Sequence, residues 1–175
     1  ELIAGYTSKS YGIYHFHATG RGGYEEQAEL YRKAGFKDID SETLKKGNVT
    51  VKKYIYNMPE LLASADIVVC RAGAMTLSEI ASLGKAAVII PSPNVTNNHQ
   101  YKNAKVLADG DAAVLIEEKD LTGGLLIEKV RAFAENPAYR ALTEQNIRKF
   151  AVLGTLDRIY EIVCSLADEA NGQKK

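Results

Sequence analysis

Arg71-Ala72-Gly73-Ala74-Met75-Thr76-Leu77-Ser78-Glu79 is the stretch on which the fold turns. It follows an apolar run of strand character, Ile67 to Cys70. It leads into a helical pattern, Ala74 to Leu83, with Leu77, Ile80, Ala81 and Leu83 on the apolar side and a stop at Gly84. A strand, a turn of small residues and a helix start together make an anion site. The first N–H groups of a helix lack partners within it, and its dipole is positive at that end. Ala72, Gly73 and Ala74 are small enough to let an anion reach the backbone. A nucleotide diphosphate is the expected occupant.

Working outward, β-rich runs alternate with helical ones. Tyr11 to His17 reads as a strand, followed by the turn Ala18-Thr19-Gly20-Arg21-Gly22-Gly23 and a helix from Tyr24 to Ala34. Val49 to Ile55 is a second strand. Met58 to Ala65 is a short helix with Pro59 in its first turn, where a missing N–H costs nothing. Ala86 to Ile90 is a buried strand, ended by Pro91-Ser92-Pro93. Asn97 to Asp109 is helical, and Ala112 to Ile116 is a fifth strand. From Leu121 the pattern is helical, with breaks near Asn136-Pro137 and Gly154, and 171–175 reads as a disordered tail. This alternation predicts an α/β fold, a Rossmann-like parallel sheet flanked by helices and joined by right-handed crossovers. The unbroken apolar runs Ile67 to Cys70 and Ala86 to Ile90 predict strands covered on both faces. The Arg71 turn, the Pro91 loop and the Gly20 turn all follow strand ends, so they are expected on one rim, where open α/β sheets bind ligands. Residues 1–170 read as one domain. Glu1 to Ala4 reads as the end of a helix and Gly5 to Ser10 as a loop. A doubly wound domain is expected to open on a strand, so the chain reads as one that begins inside its domain.

Composition narrows the function classes. The 175 residues suit one domain with a proper core, at 46% hydrophobic and 25% charged. Lys plus Arg is 22 and Asp plus Glu is 22, a net charge of zero that suggests no nucleic-acid partner. No run approaches the roughly 18 apolar residues of a membrane span, and no secretory signal pattern is visible. Cys70 and Cys164 lie far apart in apolar surroundings and read as structural thiols, which favours the cytosol.

Three segments are candidates for chemistry. On the predicted helix Thr76 and Glu79, three apart, share a face. Glu79 lies one turn below the anion site, placed for the vicinal hydroxyls of a ribose; an ordinary helix start that favours acidic residues would look the same. The loop from Pro91 to Ala104 is rich in amides, and Asn97, Asn98, His99 and Gln100 can donate to and accept from sugar hydroxyls. Asn97 or Asn98 would serve equally as a helix cap. His15 and His17 are two apart on one face of a strand, without an acidic or Cys partner nearby in sequence, so a core or sheet-edge role fits them better than a metal. No Ser-His-Asp or Cys-His arrangement and no Walker pattern is present.

The run Val69 to Ile80, then Ile90-Pro91, then Asn98-His99-Gln100-Tyr101-Lys102-Asn103-Ala104, resembles the carboxyl-terminal domain of the MurG family, bacterial peptidoglycan glycosyltransferases of family 28 with the GT-B fold. The likeness runs from His17 to the terminal helices. It implies an inverting, metal-independent transferase without a cofactor, moving GlcNAc from UDP-GlcNAc to the MurNAc 4-hydroxyl of lipid I to give lipid II. It implies roles residue by residue. The backbone at Ile55 would meet the uracil edge. Arg71, Gly73, Ala74, Met75 and Thr76 would surround diphosphate and sugar, Glu79 would hold the ribose, and Gln100 the GlcNAc hydroxyls. Many family members have glutamine where this chain has His99, whose imidazole still hydrogen-bonds.

No catalytic residue is expected in this chain. By resemblance the general base and the lipid I site belong to an amino-terminal domain that also touches the cytoplasmic face of the membrane, and a Gly-Gly-Ser-type phosphate loop would lie just before Glu1. This stretch alone is expected to be inactive. Two other readings compete: a partner-dependent UDP-sugar-binding subunit of Alg13 type, and a diacylglycerol glycosyltransferase domain.

Overall fold

The computed structural model describes residues 12–172, with side chains described up to residue 169. The helix end and loop expected at 1–10, the strand start at Tyr11 and the last three residues of the expected tail lie outside the described residues. The chain forms two compact units, residues 12–65 with 119–136 and residues 66–118 with 137–172.

The second unit holds the Arg71 turn. Its three strands, β5 (Ile67–Cys70), β6 (Ala86–Ile89) and β7 (Val114–Leu115), are parallel in the order β5-β6-β7. The ladder pairs Cys70 with Ile89 and Ile89 with Leu115. One further rung at each carboxyl end, Ile90 N–H to Cys70 O at 2.9 Å and Ile116 N–H to Ile89 O at 3.0 Å, brings the strand ends level. The helices are α3 (Ala74–Leu83), α4 (His99–Asp109), α6 (Pro137–Arg148) and α7 (Thr155–Gly172). The core joins Ala72, Leu77, Ile80, Ala81, Ala87, Ile89, Ala104, Leu107, Ala112 and Ile147. Five of these ten residues are alanine and five are leucine or isoleucine. α3 ends in a Schellman motif, with Gly84 N–H on Ala81 O and Lys85 N–H on Ile80 O. Gly84 has φ +62°, a conformation that favours glycine, and a Cβ there would fall 2.2 Å from the guanidinium carbon of Arg148, whose flexible side chain would have to move.

Helix α7 continues to Gly172, two residues into the expected tail. It presents an exposed apolar stripe of Leu156, Ile159, Tyr160, Val163 and Leu166 at helical spacing.

The parallel sheet flanked by helices is the predicted one, with two corrections. β6 is buried along its whole length, as its apolar run predicts. β5 is less buried than expected: it is the outer strand of this three-stranded sheet among the described residues, and Val69 is 44% exposed. An apolar run signals burial without saying whether the strand lies at the centre or the edge. The fifth strand is also shorter than expected, a two-residue ladder at Val114–Leu115.

The first unit comprises β1 (His15–Ala18), α1 (Tyr24–Lys33), β2 (Lys37–Asp40), β3 (Thr43–Lys46), β4 (Val49–Lys52), α2 (Met58–Ser64) and α5 (Gly123–Glu135). Its sheet order is β1-β4-β3-β2, and only β1 and β4 are parallel. The β2-β3-β4 meander departs from the all-parallel expectation. Short turns force it: Glu42 N–H bonds to Asp40 Oδ1 at 2.8 Å, and Gly47 turns with φ +57°. Two to three residues join antiparallel strands, whereas parallel ones need a long crossover. Val49 and Val51 face inward with Leu44, Tyr24 and Ala28. The strand expected to reach Ile55 stops at Lys52, with one further rung from Lys53 N–H to Glu42 O at 2.9 Å.

Candidate functional site

The site is built at the carboxyl ends of β5 and β6. Gly73 precedes α3 in extended conformation, φ −66° and ψ 137°, and no side chain caps the helix. The first intrahelical bond runs from Leu77 N–H to Gly73 O at 3.0 Å. The N–H groups of Ala74, Met75 and Thr76 therefore have no partner within the helix, and no acidic residue in the first turn offsets its dipole. Ala74 and Met75 are exposed, with Met75 at 79%, while Ala72 behind them is fully buried. The turn is thus anchored on one side and open on the other. Glu79 stands exposed one turn down α3.

Arg71 ties this turn to its neighbours. Its Nη1 lies 3.3 Å from Ile90 O, 3.5 Å from Pro91 O and 2.5 Å from a Glu118 carboxylate oxygen. From α4, Asn103 Nδ2 donates to Ala72 O at 3.3 Å, and Gln100 Oε1 accepts from Ser92 N–H at 2.9 Å. The Pro91 loop, the Arg71 turn and the start of α4 are one hydrogen-bonded rim, as their positions after strand ends predict. The Gly20 turn, with φ +79°, follows β1 in the first unit.

The polar loop shapes the start of α4. A short 3₁₀ turn, Thr96–Asn98, precedes the helix expected from Asn97. Asn97 and Asn98 both take left-handed conformations, φ 54° and 52°. Asn tolerates that region better than most residues, but two in succession store strain, which gathers at functional loops. Neither caps the helix, the role open to them in sequence. His99 Nδ1 lies 2.9 Å from Thr96 O. The Thr96 carbonyl can only accept, so Nδ1 is the donor in that contact and Nε2 is left to meet a ligand. Because Gln100 Oε1 is taken by Ser92, its NH₂ group is the part left to meet a ligand.

Of the residues singled out in the sequence, Arg71, Gly73, Ala74, Met75, Thr76, Glu79, His99 and Gln100 all belong to the second unit, on the Arg71 turn and the two helices that start beside it. Ile55 belongs to the first unit, three residues beyond β4 and 6% exposed. Two residues of the rim escaped sequence reasoning. Asn103 sits three residues after Gln100, a spacing that would have placed it on the same helix face. Glu118 is 47 residues from Arg71 and carries no sequence signal of its own. Cys70, just before the turn, is an inert thiol, its pKa pushed up to about 12 by burial.

His15 and His17 sit on β1 of the first unit, ring centroids 6.1 Å apart, and His17 packs edge-on against Tyr31. Burial lowers both pKa values, and His15, with His17 as a second cause, falls to about 4. Both are neutral at pH 7. Among the described residues no group of three or more His, Cys, Asp or Glu side chains could hold a metal.

Comparison with known proteins gives one family. Residues 6–156 match the glycosyltransferase family 28 C-terminal domain. A Bacillus cytotoxicus protein is 36% identical over 166 residues, 95% of this chain and 43% of its own length. A Thermoanaerobacter sp. (strain X514) protein is 39% identical over 148 residues, 85% of this chain and 39% of its own. Both are named UDP-N-acetylglucosamine–N-acetylmuramyl-(pentapeptide) pyrophosphoryl-undecaprenol N-acetylglucosamine transferase. The crystal structure of Acinetobacter baumannii MurG superposes with a TM-score of 0.71 at 26% identity, covering 91% of this chain and 44% of that one. The chain thus spans less than half the length of the curated relatives it matches. It belongs to glycosyltransferase family 28, whose carboxyl-terminal domain it carries.

Proposed function

We propose that this chain binds the donor of an inverting glycosyltransferase that moves GlcNAc from UDP-GlcNAc to the MurNAc 4-hydroxyl of lipid I, giving lipid II for peptidoglycan synthesis. The observation that carries the proposal is the uncapped start of α3, where three backbone N–H groups face an open turn beside Arg71. Such fixed donors match a diphosphate, whose charge grows as UDP leaves, and they need no reorganisation during the reaction.

In this reading Ala74, Met75 and Thr76 present their N–H groups to the diphosphate, and Gly73 keeps the approach clear. Glu79 accepts from the ribose hydroxyls. Gln100 donates its NH₂ to the GlcNAc hydroxyls, and His99 Nε2 accepts from one. Ile55 enters through the resemblance alone, as a backbone contact to the base. The lipid acceptor, the general base and contact with the cytoplasmic face of the membrane are assigned to another part of the protein. The anomeric carbon is attacked with inversion, and no metal ion or cofactor is needed, because helix N–H groups and Arg71 do the work of a cation. Among the described residues no helix is long and apolar enough to cross a membrane.

Calorimetric titration with UDP-GlcNAc tests the proposal. The chain is expected to bind, and Glu79→Ala to weaken binding about tenfold through loss of charge-assisted hydrogen bonds to the ribose, roughly 1.4 kcal/mol. Equal affinity of the two proteins for the donor would remove Glu79 from the site.

A further inference from the structure

We propose that Glu118 is a positioning residue for the donor diphosphate, acting through Arg71; the inference rests on the donor-site reading above. Arg71 follows β5, Ile90 and Pro91 follow β6, and Glu118 opens a short 3₁₀ turn after β7. One guanidinium nitrogen, Nη1, ties the end of β5 to those of β6 and β7. The three contacts are unequal. The carbonyls of Ile90 and Pro91 lie 3.3 and 3.5 Å away, at the long limit of a hydrogen bond, whereas the carboxylate lies 2.5 Å away. The carboxylate contact is the charge-assisted one, and with both carbonyls at the long limit it sets where the guanidinium sits.

Every contact of Arg71 among the described residues uses Nη1. Nε–H and the two Nη2 hydrogens remain, and they form one edge of the planar fork that grips a phosphate bidentately. Glu118 thus holds Arg71 by one nitrogen and leaves the other edge presented. Arg71 is half exposed, its side chain 52% accessible, so without that anchor its long stem samples many rotamers and must be ordered on binding. The carboxylate also offsets part of the charge of Arg71. Its contribution is therefore geometric, and an uncharged acceptor of the same length supplies it too.

The test compares UDP with uridine, titrated calorimetrically into the wild-type chain, Glu118→Ala and Glu118→Gln, with thermal midpoints measured for all three. Glu118→Ala is expected to weaken UDP at least fivefold and to leave uridine within twofold, because uridine has no diphosphate for Arg71 to hold. Glu118→Gln, which keeps an acceptor oxygen, is expected to retain UDP affinity or exceed it. If both variants lose UDP equally, or if Glu118→Ala weakens uridine as much as UDP, Glu118 is only a brace of the fold. Tighter UDP binding by Glu118→Ala would make the ion pair a competitor of the donor and overturn the proposal. So would unchanged UDP binding by that variant, and this outcome leaves the donor site standing. Absence of UDP binding by the wild-type chain overturns the donor site and the role of Glu118 together. Since Glu118 is exposed at a loop, folding of the variants is expected; slow exchange of the Arg71 guanidinium protons in the wild type, observed by NMR, is an independent readout of the anchor.

Discussion

Two helix starts in this protein are treated in opposite ways. α5 begins after Thr122, whose hydroxyl accepts from Leu125 N–H at 3.1 Å. That is the usual way a helix satisfies an early donor. α3 begins after Gly73, which has no side chain to offer, and its first three N–H groups are left to solvent or a ligand. Gly73 is in an extended conformation that any residue adopts, and a Cβ there would meet only Thr76 Oγ1 at an ordinary 3.8 Å. Neither backbone nor packing demands glycine at this position. α1, α2 and α4 also start without a side-chain cap, so what sets α3 apart is where its open end lies, at the level carboxyl ends of β5 and β6 beside Arg71.

The largest effect is expected from closing that cap. Gly73→Asp supplies an N-cap carboxylate and should raise the thermal midpoint slightly, by a few tenths to about 1 kcal/mol of stability. The same carboxylate occupies the donors and repels a diphosphate, so UDP affinity should fall at least a hundredfold, about 2.7 kcal/mol. A capped variant that binds UDP normally would show that the diphosphate does not sit at the start of α3.

A second test perturbs the unit that carries the closed cap while leaving the open one alone. His15 has its pKa lowered to about 4, by burial first and His17 second, against an ordinary 6.5. Between those values the unfolded chain takes a proton that the folded chain refuses. Stability is therefore fully present above about pH 6.5 and is lost as pH falls through that window. The expected loss is on the order of 2 kcal/mol between pH 7 and pH 4. Denaturant titrations across that range check it, and His15→Gln should flatten the slope. A slope unchanged in the variant assigns the effect to other groups.

The smallest effect sharpens the closed side. Thr122→Ala should cost about 1 kcal/mol in stability and leave UDP binding unchanged. Loss of UDP binding would show that the cap of α5 matters to the site.

How much of this was legible depended on how local each signal was. β5 and α3 were readable to the residue, because the apolar run, the small-residue turn and Gly84 are contiguous. The eight candidate residues of the second unit came from two contiguous segments, the Arg71 turn with the first part of α3 and the start of α4. The β2-β3 hairpin was not legible, since Lys37-Asp38-Ile39-Asp40 is polar, fully exposed and poor in strand formers, and only its pairing with β3 makes it a strand. The left-handed pair Asn97 and Asn98 could be read as a polar loop but not as a strained one. Glu118 could not be read at all, because its meaning comes from Arg71, far away in sequence and adjacent only once three strand ends are level.

Titration of the ¹⁵N-labelled chain with UDP, followed by amide chemical shifts, shows whether the diphosphate binds at the open start of α3. The largest downfield amide-proton shifts are expected at Ala74, Met75 and Thr76, with those at the capped start of α5 unmoved. Saturable UDP binding that leaves the three amides of α3 in place would contradict the account, and the open helix start would then be only an uncapped helix.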